Sequence, residues 1–354
     1  MDIQPVPLRG RGASANPANR FEMLHYERDP DAPPDESPAP QTQFLKDSTR
    51  SIIATNESPD VGFSASINVY RGCEHGCVYC YARPYHEYIG FSAGLDFETK
   101  ILVKEDAPQL LRKELSSPKW TPQVLGMSGV TDCYQPIERH LLLTRRCLQI
   151  LTEFRNPVTI VTKNHLVTRD LDLLSQLAQH QAVSVCISVT TLSDRLAGQM
   201  EPRATRPRGR LDAIRTLSAA GIPVTVLVAP IVPGLTDHEM PAILAAVREA
   251  GAVDAGYTLL RLPFAVSDIF GRWLSDHFPD RKERVLGRIR EVHGGRDNDS
   301  RFGVRMHGDG QIAEAVRTLF QVTYRKLGFP GRPPLSSEAF RRPDDTPLAL
   351  FDPV

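Results

Sequence analysis

Three of the chain's six cysteines, Cys73, Cys77 and Cys80, fall within the stretch RGCEHGCVYCYARP, while Cys133, Cys147 and Cys186 are scattered. Three clustered thiols cannot all pair with one another. A C-x3-C-x2-C array of soft thiolates suits zinc or an iron–sulfur cluster. A structural zinc site needs four ligands, and His75, two residues from both Cys73 and Cys77, is the nearby candidate for the fourth. That spacing is cramped, and no second C-x-x-C or paired histidine follows at finger-like distance. A dithiol redox reading of CVYC (77–80) leaves Cys73 unexplained. The residues alone leave an iron–sulfur loop in competition with these other readings.

A loop of this kind needs a scaffold. Short β-branched runs read as strands: SINVY (66–70), QVLGMS (123–128), VTIVT (158–162), VSVCISV (183–189), PVTVLVAP (223–230) and GYTLLRL (256–262). Between them, segments such as HLLLTRRCLQILTEF, RDLDLLSQLAQH and EMPAILAAVREAG carry helical spacing. Strands alternating with helices imply βαβ units and a parallel sheet. Six units make an open or partial β/α barrel, and a doubly wound sheet fits nearly as well. Either way the chemistry belongs at the C-terminal ends of the strands, where the cysteine run follows the first strand. Cys147 on an apolar helical face and Cys186 within a strand read as core.

The 354 residues balance 42 Lys and Arg against 42 Asp and Glu, so the net charge gives no reason to expect a broad nucleic-acid or membrane surface. Residues 1–45 and 331–354 are rich in proline and lack apolar periodicity, so they read as a flexible leader and an irregular tail around one domain at 46–330 with a C-terminal helical extension. No apolar stretch is long enough for a signal peptide or a bilayer span. Clustered cysteines then suit a reducing cytoplasm.

The cysteine motif, its place after the first strand and Tyr79 before the last cysteine together resemble the radical S-adenosylmethionine (SAM) superfamily. The β/α repeats resemble that superfamily's partial (β/α)6 barrel over about residues 60–265. The resemblance implies that Cys73, Cys77 and Cys80 hold a [4Fe–4S] cluster, leaving one iron for the amino and carboxylate groups of SAM. GMSGVTDCYQPIE (126–138) looks most like the spore photoproduct lyase branch. By that similarity Ser128 and Gly129 lie near the methionine moiety, Asp132 accepts from the amino group, and Lys163 pairs with the carboxylate. Ser188 is implied near the ribose, Glu201 and Arg203 as polar contacts, and Ala229, Ile231 and Tyr79 beside adenine.

The lyase carries a cysteine hydrogen donor where this chain has Gly129. Cys133 is nearby and becomes the catalytic candidate. The resemblance implies electron supply by a flavodoxin or ferredoxin and leaves the substrate open, with nucleic acid a candidate. Two other classes stay open: a zinc-stabilised binding module, and a nucleic-acid-binding protein without SAM chemistry that relies on the arginines of 203–215. The bland reading of Arg203, Arg206, Arg208 and Arg210 is a solvated helix entry, and that of Tyr85, Tyr88 and Tyr134 is packing.

Overall fold

The computed structural model describes residues 8–22, 40–127 and 129–343. Its strands are β1 (Gln43–Lys46), β2 (Ile53–Thr55), β3 (Ala65–Ile67), β4 (Tyr70–Arg71) and β5 (Lys100–Val103). They continue as β6 (Leu125–Met127), β7 (Val158–Thr162), β8 (Val183–Ser188), β9 (Val224–Ile231) and β10 (Asp254–Leu259). Six of them, β3, β6, β7, β8, β9 and β10, lie side by side in that order and all pair in parallel, with β2 antiparallel to β3 at one edge.

That order decides between the two candidate architectures. Among these six, each strand lies in space beside the next of the six along the chain. Right-handed crossovers therefore put every connecting helix on one face. A doubly wound sheet reverses order at a switch point, and none occurs here. The sheet is an open, partial (β/α)6 barrel. β10 and β2 remain unpaired with each other, so no closed barrel forms.

The helices are α1 (Leu95–Thr99), α2 (Ala107–Ser116), α3 (Glu138–Leu141), α4 (Leu143–Phe154), α5 (Leu171–Ala178) and α6 (Asp194–Met200). They continue as α7 (Pro207–Ala219), α8 (Met240–Glu249), α9 (Ala265–His277), α10 (Lys282–Val292) and α11 (Gly310–Leu327). Their apolar stripes cover the sheet: α4 buries Leu143, Cys147, Leu148, Leu151 and Phe154, and Cys186 is buried in β8, so both thiols belong to the core as expected. β8 is buried along its whole length, as a central parallel strand covered on both faces must be.

A small sheet, β1–β5–β4, was not legible from periodicity, because its strands are two to four residues long and β1 pairs with residues more than fifty positions away. It borders the cysteine loop, which leaves β4 directly. A second apolar cluster joins Cys77, Val78 and Tyr79 of that loop to Met200 of α6 and to Phe270 and Trp273 of α9. Along the tail, Phe340 lies against Phe154 with ring centroids 6.2 Å apart. Among the described residues no helix is long and apolar enough to cross a membrane.

The leader departs from expectation over residues 8–22. The Gly12 and Ala13 N–H groups donate to the two carboxylate oxygens of buried Glu98 at 2.9 and 2.8 Å. Asn19 donates to the carbonyls of Glu87 and Phe91, and Arg20 pairs with Glu87 at 2.7 Å. Composition predicts a free segment because it contains few apolar residues. What holds it is polar: buried carboxylates supplied by distant elements.

Candidate active site

The C-terminal ends of β3, β6, β7, β8 and β9 open on one side: Gly129 and Asp132 follow β6, Lys163 follows β7, Ser188 ends β8, Ala229 and Ile231 lie at the end of β9, and Glu201 and Arg203 follow α6. The cysteine loop is held from several directions. Cys73 N–H donates to the Phe97 carbonyl at 2.9 Å, and Val78 N–H to the Met200 carbonyl at 3.0 Å. Fully buried Arg83 donates through Nε to the Cys77 carbonyl at 2.9 Å and pairs with Glu98. Gly72 takes a φ of +81°, and a Cβ there would meet the Phe97 carbonyl oxygen at 2.9 Å, so the first turn of the loop requires glycine.

Cys73 and Cys77 are buried and Cys80 is partly exposed; none forms a disulfide. Burial pushes all three thiols up. Asp132 adds to this at Cys73 and Glu201 at Cys77, while Arg83 opposes it at Cys80. Such thiols become thiolates only with a compensating cation, which a metal centre provides.

His75, the proposed fourth zinc ligand, is committed elsewhere. Its Nδ1 lies 3.3 Å from Asp132 Oδ2 and its Nε2 lies 3.2 Å from Asn164 Nδ2. Among the described residues no three His, Cys, Asp or Glu side chains converge on a point that one ion would fill. A four-iron cluster makes no such demand, because each thiolate takes a separate corner. The donor set therefore fits a cluster bound through three thiolates and does not complete a zinc site.

Asp132 is a hub. Its Oδ1 accepts from Thr162 Oγ1 at 2.7 Å and Tyr134 N–H at 2.9 Å, and its Oδ2 accepts from Lys163 N–H at 2.7 Å, beside His75. Burial raises its carboxyl, but His75 and these donors outweigh that and hold it below the usual carboxylate range. With four internal partners it has little capacity left for a ligand's ammonium.

Glu201 is saturated in the same way. Fully buried, it pairs with Arg210 and accepts from the Tyr79 hydroxyl, with Thr190 Oγ1 2.8 Å from Oε1. Burial raises the Glu201 carboxyl, yet Arg210 and Lys163 pull it down to about 2. Arg210, expected in a solvated row, is buried and also donates to the Ser188 carbonyl at 2.9 Å. A sequence signal existed: Arg210 shares a helical stripe with Ala213, Ile214 and Leu217 of α7. Arg203 pairs with Glu74 at 3.2 Å, and its N–H donates to the His75 carbonyl at 3.3 Å, fastening the far side of the loop.

Lys163 behaves differently. It follows β7, is only partly buried, and places Nζ 5.9 Å from the Tyr79 ring centroid. Among the described residues it has no ion-pair partner. Ser188 ends β8, and Ala229 and Ile231 end β9; the Ala229 carbonyl lies 3.1 Å from Thr190 Oγ1. The Gly129 carbonyl accepts from Tyr81 OH at 2.7 Å. Ser128 lies outside the described residues. Cys133 is buried in the main core cluster with Tyr70, Tyr134 and Cys147, and its carbonyl accepts from Thr144 Oγ1.

A partial barrel of six parallel strands, with a three-thiol loop at the C-terminal mouth, places the chain among open β/α-barrel proteins. The Radical SAM superfamily model matches residues 67–247, and the chain belongs to that superfamily. An uncharacterized protein of Mycobacterium tuberculosis is 34% identical over 245 residues, 68% of this chain and 71% of its own. A spore photoproduct lyase variant superposes with a TM-score of 0.57 over 81% of this chain and 79% of that one, at 16% identity. Spore photoproduct lyase complexed with dinucleoside spore photoproduct gives 0.55 over 80% and 78%, also at 16%. At that identity the likeness concerns the fold.

Proposed function

We propose that Cys73, Cys77 and Cys80 hold a [4Fe–4S] cluster and that SAM binds at its open iron. When bound, the cluster supplies the electron that cleaves SAM to methionine and a 5′-deoxyadenosyl radical, which takes hydrogen from an unreactive carbon. The carrying observation is the donor set: three loop thiols beyond the strand ends, with both nitrogens of His75, the histidine between Cys73 and Cys77, already engaged.

The chain's own residues then position the cofactor. Lys163, a cation that among the described residues forms no direct ion pair, takes the carboxylate of SAM. Ser128 and Gly129 border the methionine moiety, Ser188 the ribose, and Ala229, Ile231 and Tyr79 the adenine. Asp132, Glu201 and Arg203 act by holding His75, Tyr79 and the loop in place rather than by touching SAM. Cys133 is assigned to packing.

Lys163 and the loop shape the cofactor site; the substrate must enter at the open mouth. The fold shared with spore photoproduct lyase, which binds a dinucleoside in one complex, supports a nucleic-acid substrate. A flavodoxin or ferredoxin in a reducing cytoplasm suits the electron supply. Anaerobic reconstitution is expected to load about four irons per chain and to give 5′-deoxyadenosine from SAM under reduction. Normal iron loading in a C73A/C77A/C80A variant would sink the assignment. One zinc per chain with no visible absorbance favours the zinc module instead.

A further inference from the structure

We infer that a ribbon of exposed aromatic and arginine side chains beside the mouth is a stacking surface for the unpaired bases of a single-stranded nucleic acid. The ribbon starts at Tyr81, next to Cys80, whose hydroxyl reaches the Gly129 carbonyl. The Arg261 guanidinium lies 5.1 Å from the Tyr81 ring centroid. Tyr85 and Tyr88 follow on the 3-10 segment Arg83–Ile89, with centroids 6.3 Å apart. Phe21 of the leader stacks on Tyr88 at 4.8 Å. Arg20 bridges Phe21, at 5.0 Å, to Phe264, at 3.7 Å.

Three observations set this ribbon apart from ordinary surface. Its rings are open to water although they adjoin one another: Tyr88 is 66% exposed, Phe264 63% and Tyr85 54%. Contiguous exposed aromatic groups mark interaction sites. Next, Phe264 has φ 53° and ψ −131°, a backbone that a non-glycine residue adopts only when its surroundings impose it. Strain that presents an aromatic ring to solvent contributes nothing to the core.

The third observation is charge. Glu87 neutralises Arg20 and Asp60 neutralises Arg305, but among the described residues Arg261 has no ion pair. A half-buried guanidinium stacked on an exposed ring suits a partner that is both planar and anionic. Bases linked by phosphates are both. An aromatic peptide offers rings without the regular negative charge. A base stacked at the Tyr81 end would lie beside Gly129, at the mouth. This inference rests on the proposed radical SAM reading and names its substrate class.

The test is fluorescence anisotropy on the anaerobically reconstituted full chain. Its probes are a labelled oligodeoxynucleotide, an oligoribonucleotide of the same sequence, the corresponding duplex and a tyrosine-rich peptide. A single strand should bind best, and the tighter of the two sugars identifies DNA or RNA as the source. Tyr88→Leu and Phe264→Leu should each weaken binding about five- to 150-fold, as loss of a stacked base does. Phe264→Trp, which keeps a π face, should bind like the unaltered chain. With one free guanidinium, log affinity should fall with log salt at a slope of about −0.7.

Unchanged affinity in both leucine variants, tighter binding of the duplex or peptide, or no binding of either single strand overturns the proposal. Iron content and thermal midpoint confirm that each variant is folded. Formation of 5′-deoxyadenosine by the unaltered chain without oligonucleotide reads the cofactor chemistry separately. Its absence sinks the proposed function, whereas oligonucleotide binding alone decides the surface.

Discussion

Gly12→Ala is expected to lift the leader off the cysteine loop while leaving the barrel folded. A Cβ at position 12 would sit 1.7 Å from the Gly76 carbonyl oxygen, whereas real Cβ atoms stay beyond 3.0 Å, so the two backbones must part by about 1.3 Å. A shift of that size takes the Gly12 and Ala13 amides, now 2.9 and 2.8 Å from Glu98, out of hydrogen-bond range. Hydrogen bonds to a charged acceptor contribute about 1.5–3 kcal/mol each, so local docking loses about 3–6 kcal/mol. The global loss is smaller, because a detached leader regains chain entropy and water then reaches Glu98.

The readout is therefore local. Hydrogen exchange at residues 12 and 13 of the reconstituted protein should accelerate at least a hundred-fold, the equivalent of about 3 kcal/mol. Gly76 lies between Cys73 and Cys77, so uncovering it should also speed bleaching in air of the proposed cluster's visible absorbance. Unchanged exchange together with unchanged bleaching would refute the reasoning that the leader clasps the loop.

Glu201→Gln leaves buried Arg210 without its counter-charge. It should cost about 3–5 kcal/mol, or about 4–7 °C in thermal midpoint for a chain of this length, while Glu201→Gln/Arg210→Met recovers most of the loss; a single-variant shift under about 1 °C contradicts this. The same carboxylate sets a pH window. Its pKa falls from 4.5 in the unfolded chain to about 2 in the fold, so its stabilisation of about 3 kcal/mol is present above pH 4.5 and is lost as pH falls towards 2. The midpoints of Glu201→Gln and the unaltered chain should converge over that range, and a constant gap contradicts the assignment. Lys163→Met should retain its iron but bind SAM about 10- to 150-fold more weakly by calorimetry; equal affinity removes Lys163 from the site. Gly129→Cys places Cβ no closer than 3.6 Å to its neighbours, so a thiol should be accepted at the mouth with the midpoint unchanged or raised. A fall of several degrees would show that the strand end cannot take a side chain.

The local structure was legible in the sequence. VTIVT coincides with β7, VSVCIS with β8, and the apolar stripe of α4 is buried as its spacing requires, because strand and helix periodicities are local properties of the chain. The three cysteines stand out as candidate metal ligands for the same reason: ligand types and short spacing are local. Strand order, by contrast, is a long-range property, and it chose the open barrel over the doubly wound sheet.

Polar partnership is equally long-range. Asp132 and Glu201 read as ligand contacts, but each is filled by donors from other elements, and Cys133 turns into the core. Arg210 was misread as solvated because its partner Glu201 lies on a different element, just past α6. The contacts of Gly12, Ala13 and Arg20 were not legible because Glu87 and Glu98, which hold them, stand more than sixty residues away. Sequence alone singled out the candidate groups, because residue types and short spacing are local. Only the tertiary structure decided which of them remain unpartnered, because a buried carboxylate or guanidinium takes its partners from whatever the fold brings within hydrogen-bond range.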